Sequence, residues 1–453
     1  MIKSKSADLL TGNLWVKILL FSFPLMLSNI LQLLYSAADT VVVGRFAGND
    51  ALAAVGSTGS LTNLFINLFI GFSVGASVIV AQGIGARDER AVHETVHTSM
   101  LLAVIGGIVI GGLGILLSRP ILAAMDNKVL DLATLYLRII FAGAPCSMVY
   151  NFGASILRAR GNTRLPLYIL AASGLVNVGL NLLFVIVFHM SVAGVALATI
   201  ISQALSATLV VIVLMRSHDF TRLQPRRLHI YPRRLLSIVK VGLPAGIQSS
   251  LFAVSNVLIQ SSVNSFGANV MAGNTAAANV SDFIYMGMNA LHHAAVTFAG
   301  QHAGAGMYRR IGRVAWQCVV TTTTVGVVLG ILLMLFGPEL LSIYDTNAEA
   351  TAAGMIRMRI LCSTYFLCGI MDVFMGLQRG LGSSLRPMIV SLCGACGLRI
   401  VWIYTIFRLQ PTLDCLFWSY PFTWTVTGSV HLLCFLLLWR KKVRTLEGVR
   451  GTV

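Results

Sequence analysis

A lone carboxylate stands inside an apolar stretch near the start of the chain. Asp39 follows Tyr35-Ser-Ala-Ala in a run that predicts a helix over 14–43. Asn177 and Asn181, four residues apart, lie in a later apolar run, and Thr199 lies in the next. Beside a carboxylate, these side chains offer oxygens able to hold a proton or Na⁺. The plainer alternative is a satisfied hydrogen-bond cluster between helices. An acid at the centre of a membrane helix costs about 2.5–3.5 kcal/mol on insertion scales. That cost favours a functional reading of Asp39.

A second polar group occupies the latter half. Asp282 stands in Asn279-Val-Ser-Asp-Phe, with His292 and His293 ten residues on, which is about 15 Å along one helix. Asp372 stands in Met371-Asp-Val-Phe, and Arg399 lies deep in another apolar run. Histidines could relay protons, and Arg399 could pair with an acid such as Asp372. Core polar contacts are the competing explanation. Arg138, Arg357 and Arg359 fit snorkelling toward headgroups.

One enzyme motif is present. His93-Glu-Thr-Val-His97 matches HExxH, which sets two histidines on one helical face for zinc. A membrane zinc protease is therefore one reading. A catalytic zinc also needs a third ligand and an open position, and no third ligand follows. The eight cysteines are scattered through apolar runs. Cys393 and Cys396 form a CxxC inside the span 388–407, where small core-filling thiols explain them better than redox or zinc chemistry. No metal and no cofactor are expected.

These residues need a scaffold, and composition points to a bilayer. Of 453 residues, 56% are hydrophobic and 11% charged, with a mean hydropathy of +0.82. Lipid can solvate such an outer face, whereas water cannot. The net charge of +17 does not indicate nucleic acid, because the basic residues sit in short loops between apolar runs. The expected partners are the lipid bilayer and small molecules.

Twelve runs reach spanning length, near 14–43, 51–81, 96–117, 130–157, 166–188, 192–215, 236–264, 270–300, 314–336, 351–378, 387–407 and 413–439. Alternate loops are rich in Lys and Arg: Lys3/Lys5, Arg87/Arg90, Arg158/Arg160/Arg164, Arg216 to Arg234, Arg309/Arg310/Arg313, Arg379/Arg386 and Arg440/Lys441/Lys442/Arg444. The other set holds Arg45, Arg119, Lys128 and Arg408, with the acids Glu339, Asp345 and Glu349. Both ends are therefore expected in the cytoplasm. Lys3 and Lys5 lead straight into a full span, so no cleaved leader is expected.

The halves resemble each other. Pro24 matches Pro244 at an offset of 220, Gln82-Gly-Ile-Gly-Ala86 matches Gln301-His-Ala-Gly-Ala305 at 219, and Gly161 matches Gly382 at 221. The expected fold is an all-α membrane protein with twelve transmembrane helices in two six-helix lobes, related by a pseudo-two-fold along the membrane normal. The expected division is an N-lobe over 1–215, a basic cytoplasmic linker over 216–235, a C-lobe over 236–440 and a tail over 441–453. Gly71/Gly75 and Gly107/Gly111 are GxxxG pairs that let helices approach closely.

No GxxxxGK[ST] occurs, so energy must come from an ion gradient, a partner or the substrate itself. Leu157-Arg-Ala-Arg-Gly-Asn-Thr-Arg-Leu-Pro166, Tyr35-Ser-Ala-Ala-Asp-Thr40, Gly194-Val-Ala-Leu-Ala-Thr199 and Met371-Asp-Val-Phe-Met-Gly-Leu-Gln-Arg-Gly-Leu-Gly382 resemble segments of the MATE (multidrug and toxic compound extrusion) family. The similarity runs through nearly the whole chain. It implies a non-enzymatic exporter that antiports organic cations or drugs against H⁺ or Na⁺ by alternating access. The implied setting is a multi-pass monomer in the inner (cytoplasmic) membrane. The family's amino-lobe site falls on Asp39, Asn177, Asn181 and Thr199. This chain departs from the pattern: many members have an acid where Asn181 stands, and others have a glutamate in span seven, where 244–267 holds no acid. A lipid-linked saccharide flippase of the same superfamily is the alternative, with Arg399 as a hint toward an anionic substrate.

Overall fold

A computed structural model describes residues 8–124, 129–343 and 347–450. Lys3, Lys5, Lys128 and Asp345, named above among loop charges, lie outside the described residues. The described residues contain no β-strand. Long apolar runs must satisfy their backbone internally in lipid, and here they do so as helices.

Twelve rods follow in order. They are α1 (Leu14–Ala47), α2 (Asn49–Gly85), α3 (Glu89–Ala124), α4 (Leu130–Ala142 and Ala144–Ala159), α5 (Arg164–Val187) and α6 (Ser191–Met215). The second series is α7 (Pro232–Asn264), α8 (Ala268–Gly304), α9 (Tyr308–Leu335), α10 (Ala348–Gly380), α11 (Leu385–Leu409) and α12 (Leu413–Thr445). Ten helices among the described residues are long and apolar enough to cross a membrane, and α4 adds an eleventh span bent by 46°. The remaining rod, α8, runs for 37 residues but is more polar, with Asn274, Asp282, His292 and His293 along it. Most of it is buried against α9 and α10 rather than offered to lipid.

Two compact units emerge. One holds Leu27–Gly246, and the other holds Leu9–Met26 with the chain from Ile247 onward. The division cuts α1 and α7 at equivalent points, two residues after Pro24 and Pro244. In the first unit, Phe152, Ile156, Val92 and Val96 form the core with Ile238 from the first part of α7. In the second, Phe298, Val373 and Phe374 bury Ile18, Phe21 and Leu25 from the first part of α1. The repeat seen in the sequence is thus carried into the fold, with each first helix divided between cores.

The turns repeat as well. Gly161 after α4 and Gly382 after α10 both have φ of 85°, a region that side chains with a Cβ rarely adopt. The Gly71/Gly75 pair on α2 meets Gly242 and Gly246 on α7. A Cβ at position 71 would lie 2.2 Å from Gly246 Cα, and one at 75 would lie 2.4 Å from the Ile238 carbonyl oxygen. Gly107 and Gly111 likewise let α3 close on Pro145 and on the Phe141 carbonyl.

Candidate functional site

In the first unit α1 docks on α5 through two contacts spaced along both helices. Tyr35 lies over Gly174, where a Cβ would fall 1.9 Å from the ring, and its hydroxyl donates to the Ala171 carbonyl at 3.3 Å. One turn on, Asn181 Nδ2 donates to Asp39 Oδ1. The same amide reaches Asn177 Oδ1 at 3.4 Å. Asn177 and Asn181 are buried and Asp39 is half-buried. Asn181 Oδ1 is buried without a hydrogen-bond partner, a costly state for an amide.

Both helices change pitch just beyond this pair. Residues Val43–Ala47 of α1 and Leu183–Val187 of α5 form π-helical turns, and these turns meet each other and α6. Single π turns within α-helices are frequent at functional sites. The amide nitrogen of Asn181 lies between the oxygens of Asp39 and Asn177, an arrangement that suits a proton on the carboxylate, whereas a hard cation among the three would require Asn181 to turn its oxygen inward. Thr199 is not joined to them, because its hydroxyl donates to Val195 O of its own helix at 2.9 Å.

The second unit holds a larger polar network. His292 Nδ1–H donates to the Asp372 carbonyl at 2.7 Å, which leaves Nε2 to accept from Arg379 Nη1 at 3.5 Å. Arg379 also donates to Gln248 Oε1 at 2.8 Å. Asp372 and Arg379 are both buried, two turns apart on α10. Across α11 and α12, His431 bonds Ser391 at 2.9 Å and Gln378 at 3.2 Å. His293 is half-buried, its ring edge-on to that of His292 at 5.5 Å.

Two expectations require correction. Arg399 does not pair with Asp372. It donates to Asn256 Oδ1 at 3.4 Å and stacks over Tyr420 at 4.2 Å. Asp282 does not join the histidine network either. It is half-buried farther along α8, on the stretch where Arg357 donates to Asn274 at 2.7 Å.

Arg379, Gln248, Gln378, Ser391 and His431 were missed from sequence. Arg379 sits beside Gly380 and Gly382 and reads as a loop cation, yet α10 continues through it and buries it. His431, a histidine within an apolar run, was the available signal.

Glu94 and His97 of the HExxH motif have other partners. Glu94 accepts from Arg90 at 2.9 Å and from Arg234 at 3.1 Å. His97 Nδ1–H donates to the His93 carbonyl at 2.8 Å, and its Nε2 accepts the Gln224 backbone N–H at 3.0 Å. Among the described residues no cluster of three His, Cys, Asp or Glu side chains could hold a metal.

The sequence profile of MatE matches residues 24–183 and 244–405, one block in each repeat. The chain belongs to the MatE family. It is a multi-pass membrane transporter and not an enzyme. "Probable multidrug resistance protein YoeA" of Bacillus subtilis is 27% identical over 440 residues, covering 95% of each chain. "Probable multidrug resistance protein NorM" of Thermotoga maritima is 25% identical over 380 residues, covering 82% of this chain and 81% of that protein. Among solved structures, an outward-facing multidrug resistance MATE family transporter of the MOP superfamily superposes with a TM-score of 0.92 at 21% identity. That match covers 97% of this chain and 99% of the other. The two-lobe, twelve-helix MATE fold is thereby established.

Proposed function

We propose that this MatE protein is a secondary active exporter that antiports organic cations or drugs against H⁺ or Na⁺, with Asp39 as the coupling group. The carrying observation is the Asp39–Asn181 pair, set in a membrane bundle beside two π turns and an unpartnered buried amide oxygen. An ionised carboxylate there is poorly solvated, and a bound proton or Na⁺ relieves that cost. Occupancy of Asp39 then biases alternating access through the differential affinity of its two states for the ion. The multidrug names of the curated relatives support drug-like cargo.

On this reading the chain works as a monomer in the cytoplasmic membrane without a cofactor. Both ends face the cytoplasm, in keeping with the basic loops. The pair Asp372–His292, held by Arg379, is the second candidate for ion or substrate binding, with His293 at its margin and Asp282 apart from it. The saccharide flippase loses its support, because Arg399 is engaged inside its own unit by Asn256 and Tyr420.

The test is efflux of a fluorescent organic cation from proteoliposomes under an imposed pH or Na⁺ gradient. Gradient-dependent efflux is expected, and transport indifferent to both gradients would reject the antiporter.

A further inference from the structure

The stretch between α6 and α7 is a strap bound to the first unit. Leu223 is buried, and its N–H donates to the Leu214 carbonyl at 3.1 Å. Arg160, itself buried, donates to Ser217 at 2.8 Å, Asp219 at 3.0 Å and Thr221 at 3.3 Å. Downstream, the N–H groups of Gln224 and Tyr231 donate to His97 Nε2 and Thr98 Oγ1, and Arg234 pairs with Glu94. The strap is thereby pinned along its length to the end of α4 and the start of α3.

Those contacts use up the strap's acid and an arginine in the first turn of α7. Asp219 is taken by Arg160, and Arg234 by Glu94. Arg216, Arg222, Arg226 and Arg227, with Arg233 in the first turn of α7, remain exposed, and among the described residues no guanidinium of these five has a hydrogen bond or ion pair. Exposed Phe220 and Leu228 lie in the same stretch, and exposed Leu236 follows in the first turns of α7. Nearby Asp88 and Glu89 are exposed, and Asp88 caps α3 through the Ala91 N–H.

We propose that this strap is a docking surface for the headgroups of anionic phospholipids. It leaves one span at Met215 and enters the next at Pro232, so it lies at the membrane surface. A guanidinium fork matches phosphate oxygens in pairs. Apolar side chains beside basic ones suit the boundary between headgroup and acyl chain. Because the backbone is already fixed, the lipid need not order it, which favours binding. A flexible polybasic loop would lack that advantage.

The test uses the purified full-length protein in detergent, titrated with short-chain phosphatidylglycerol, phosphatidylcholine or inorganic phosphate while the thermal midpoint is followed. Phosphatidylglycerol is expected to raise the midpoint, and the other two to leave it unchanged. The variant R222Q/R226Q/R227Q should need about tenfold more phosphatidylglycerol, with an unaltered midpoint in phosphatidylcholine. R440Q/K441Q/K442Q, near the end of α12, should match wild type within about twofold. Equal weakening by the two variants would mean unspecific charge and would overturn the proposal, as would an unchanged response of the strap variant. A phosphate response as large as that of the lipid would also overturn it, in favour of a free-anion site. F220S/L228S gives a second reading: weaker binding of the lipid supports acyl contact, and no change contradicts it.

Discussion

Asn181 donates its side-chain amide to the carboxylate of Asp39 across the contact between α1 and α5. Replacing Asn181 by Ala removes the described side-chain donor to Asp39. A hydrogen bond to a charged group contributes about 1.5–3 kcal/mol. That bond is made to the ion-free carboxylate, so Asn181→Ala should change coupling-ion affinity by tenfold or more, with proton binding tightened rather than weakened, while the protein remains folded. Isothermal titration with Na⁺, or proton release measured with a pH dye, reads this directly. Unchanged ion affinity would remove Asn181 from the site.

The contact between α2 and α7 predicts a steric effect. Gly71→Ala places a Cβ 2.2 Å from Gly246 Cα, so a backbone must move. Overfilling of this kind costs about 1–3 kcal/mol. Gly179→Ala meets nothing within 4 Å and should be neutral or mildly stabilising in a helix. Thermal midpoints of the two purified variants should separate clearly, and equal midpoints would contradict the close approach.

The strap yields a third expectation. Asp219→Ala leaves Arg160 buried without its counter-charge, and breaking a buried pair on one side costs about 3–5 kcal/mol. Ser217 and Thr221 still bind the guanidinium, so the lower end applies. Limited trypsin digestion should cut within 222–227 faster in this variant. Glu94→Gln should loosen the same segment through Arg234, a result that a zinc-site glutamate would not produce.

Arg379 gives a fourth. Arg379→Met leaves Gln248 Oε1 and His292 Nε2 without their donor, at about 1–3 kcal/mol for each buried group left unmade. Lysine should not rescue it, since one ammonium cannot reproduce a fork that spans two partners. Arg408→Gln, at an exposed position, should stay within about 0.5 kcal/mol of wild type. Denaturation midpoints in detergent distinguish these cases.

The spans were legible because hydrocarbon permits little except apolar helices of one length. Even the more polar α8 reads as a run of spanning length, and the match of 82–86 with 301–305 agrees with its place in the repeat. Asp39 and Asn181 were legible for a related reason, as polar groups stand out against an apolar run. Their grouping was expected, whereas the bond of Thr199 to its own helix was not, because a threonine hydroxyl can equally serve a neighbour or the carbonyl four residues back. Arg379 was hidden by the glycines that follow it. The Glu94–Arg234 and His97–Gln224 contacts were hidden by distance in sequence, since nothing local ties 94–97 to 224–234. The π turns were invisible as well: Val43-Gly-Arg-Phe-Ala47 and Leu183-Phe-Val-Ile-Val187 have no pattern that separates them from ordinary α-helix.

The central claim is that Asp39 couples an ion gradient to export. Proteoliposomes holding wild type or Asp39→Asn, given the same imposed gradients and the same fluorescent cation, test it most directly. The substituted protein is expected to keep its thermal midpoint within a few degrees and to bind the cation, yet to show no gradient-driven efflux. Efflux at the wild-type rate from Asp39→Asn would contradict the account.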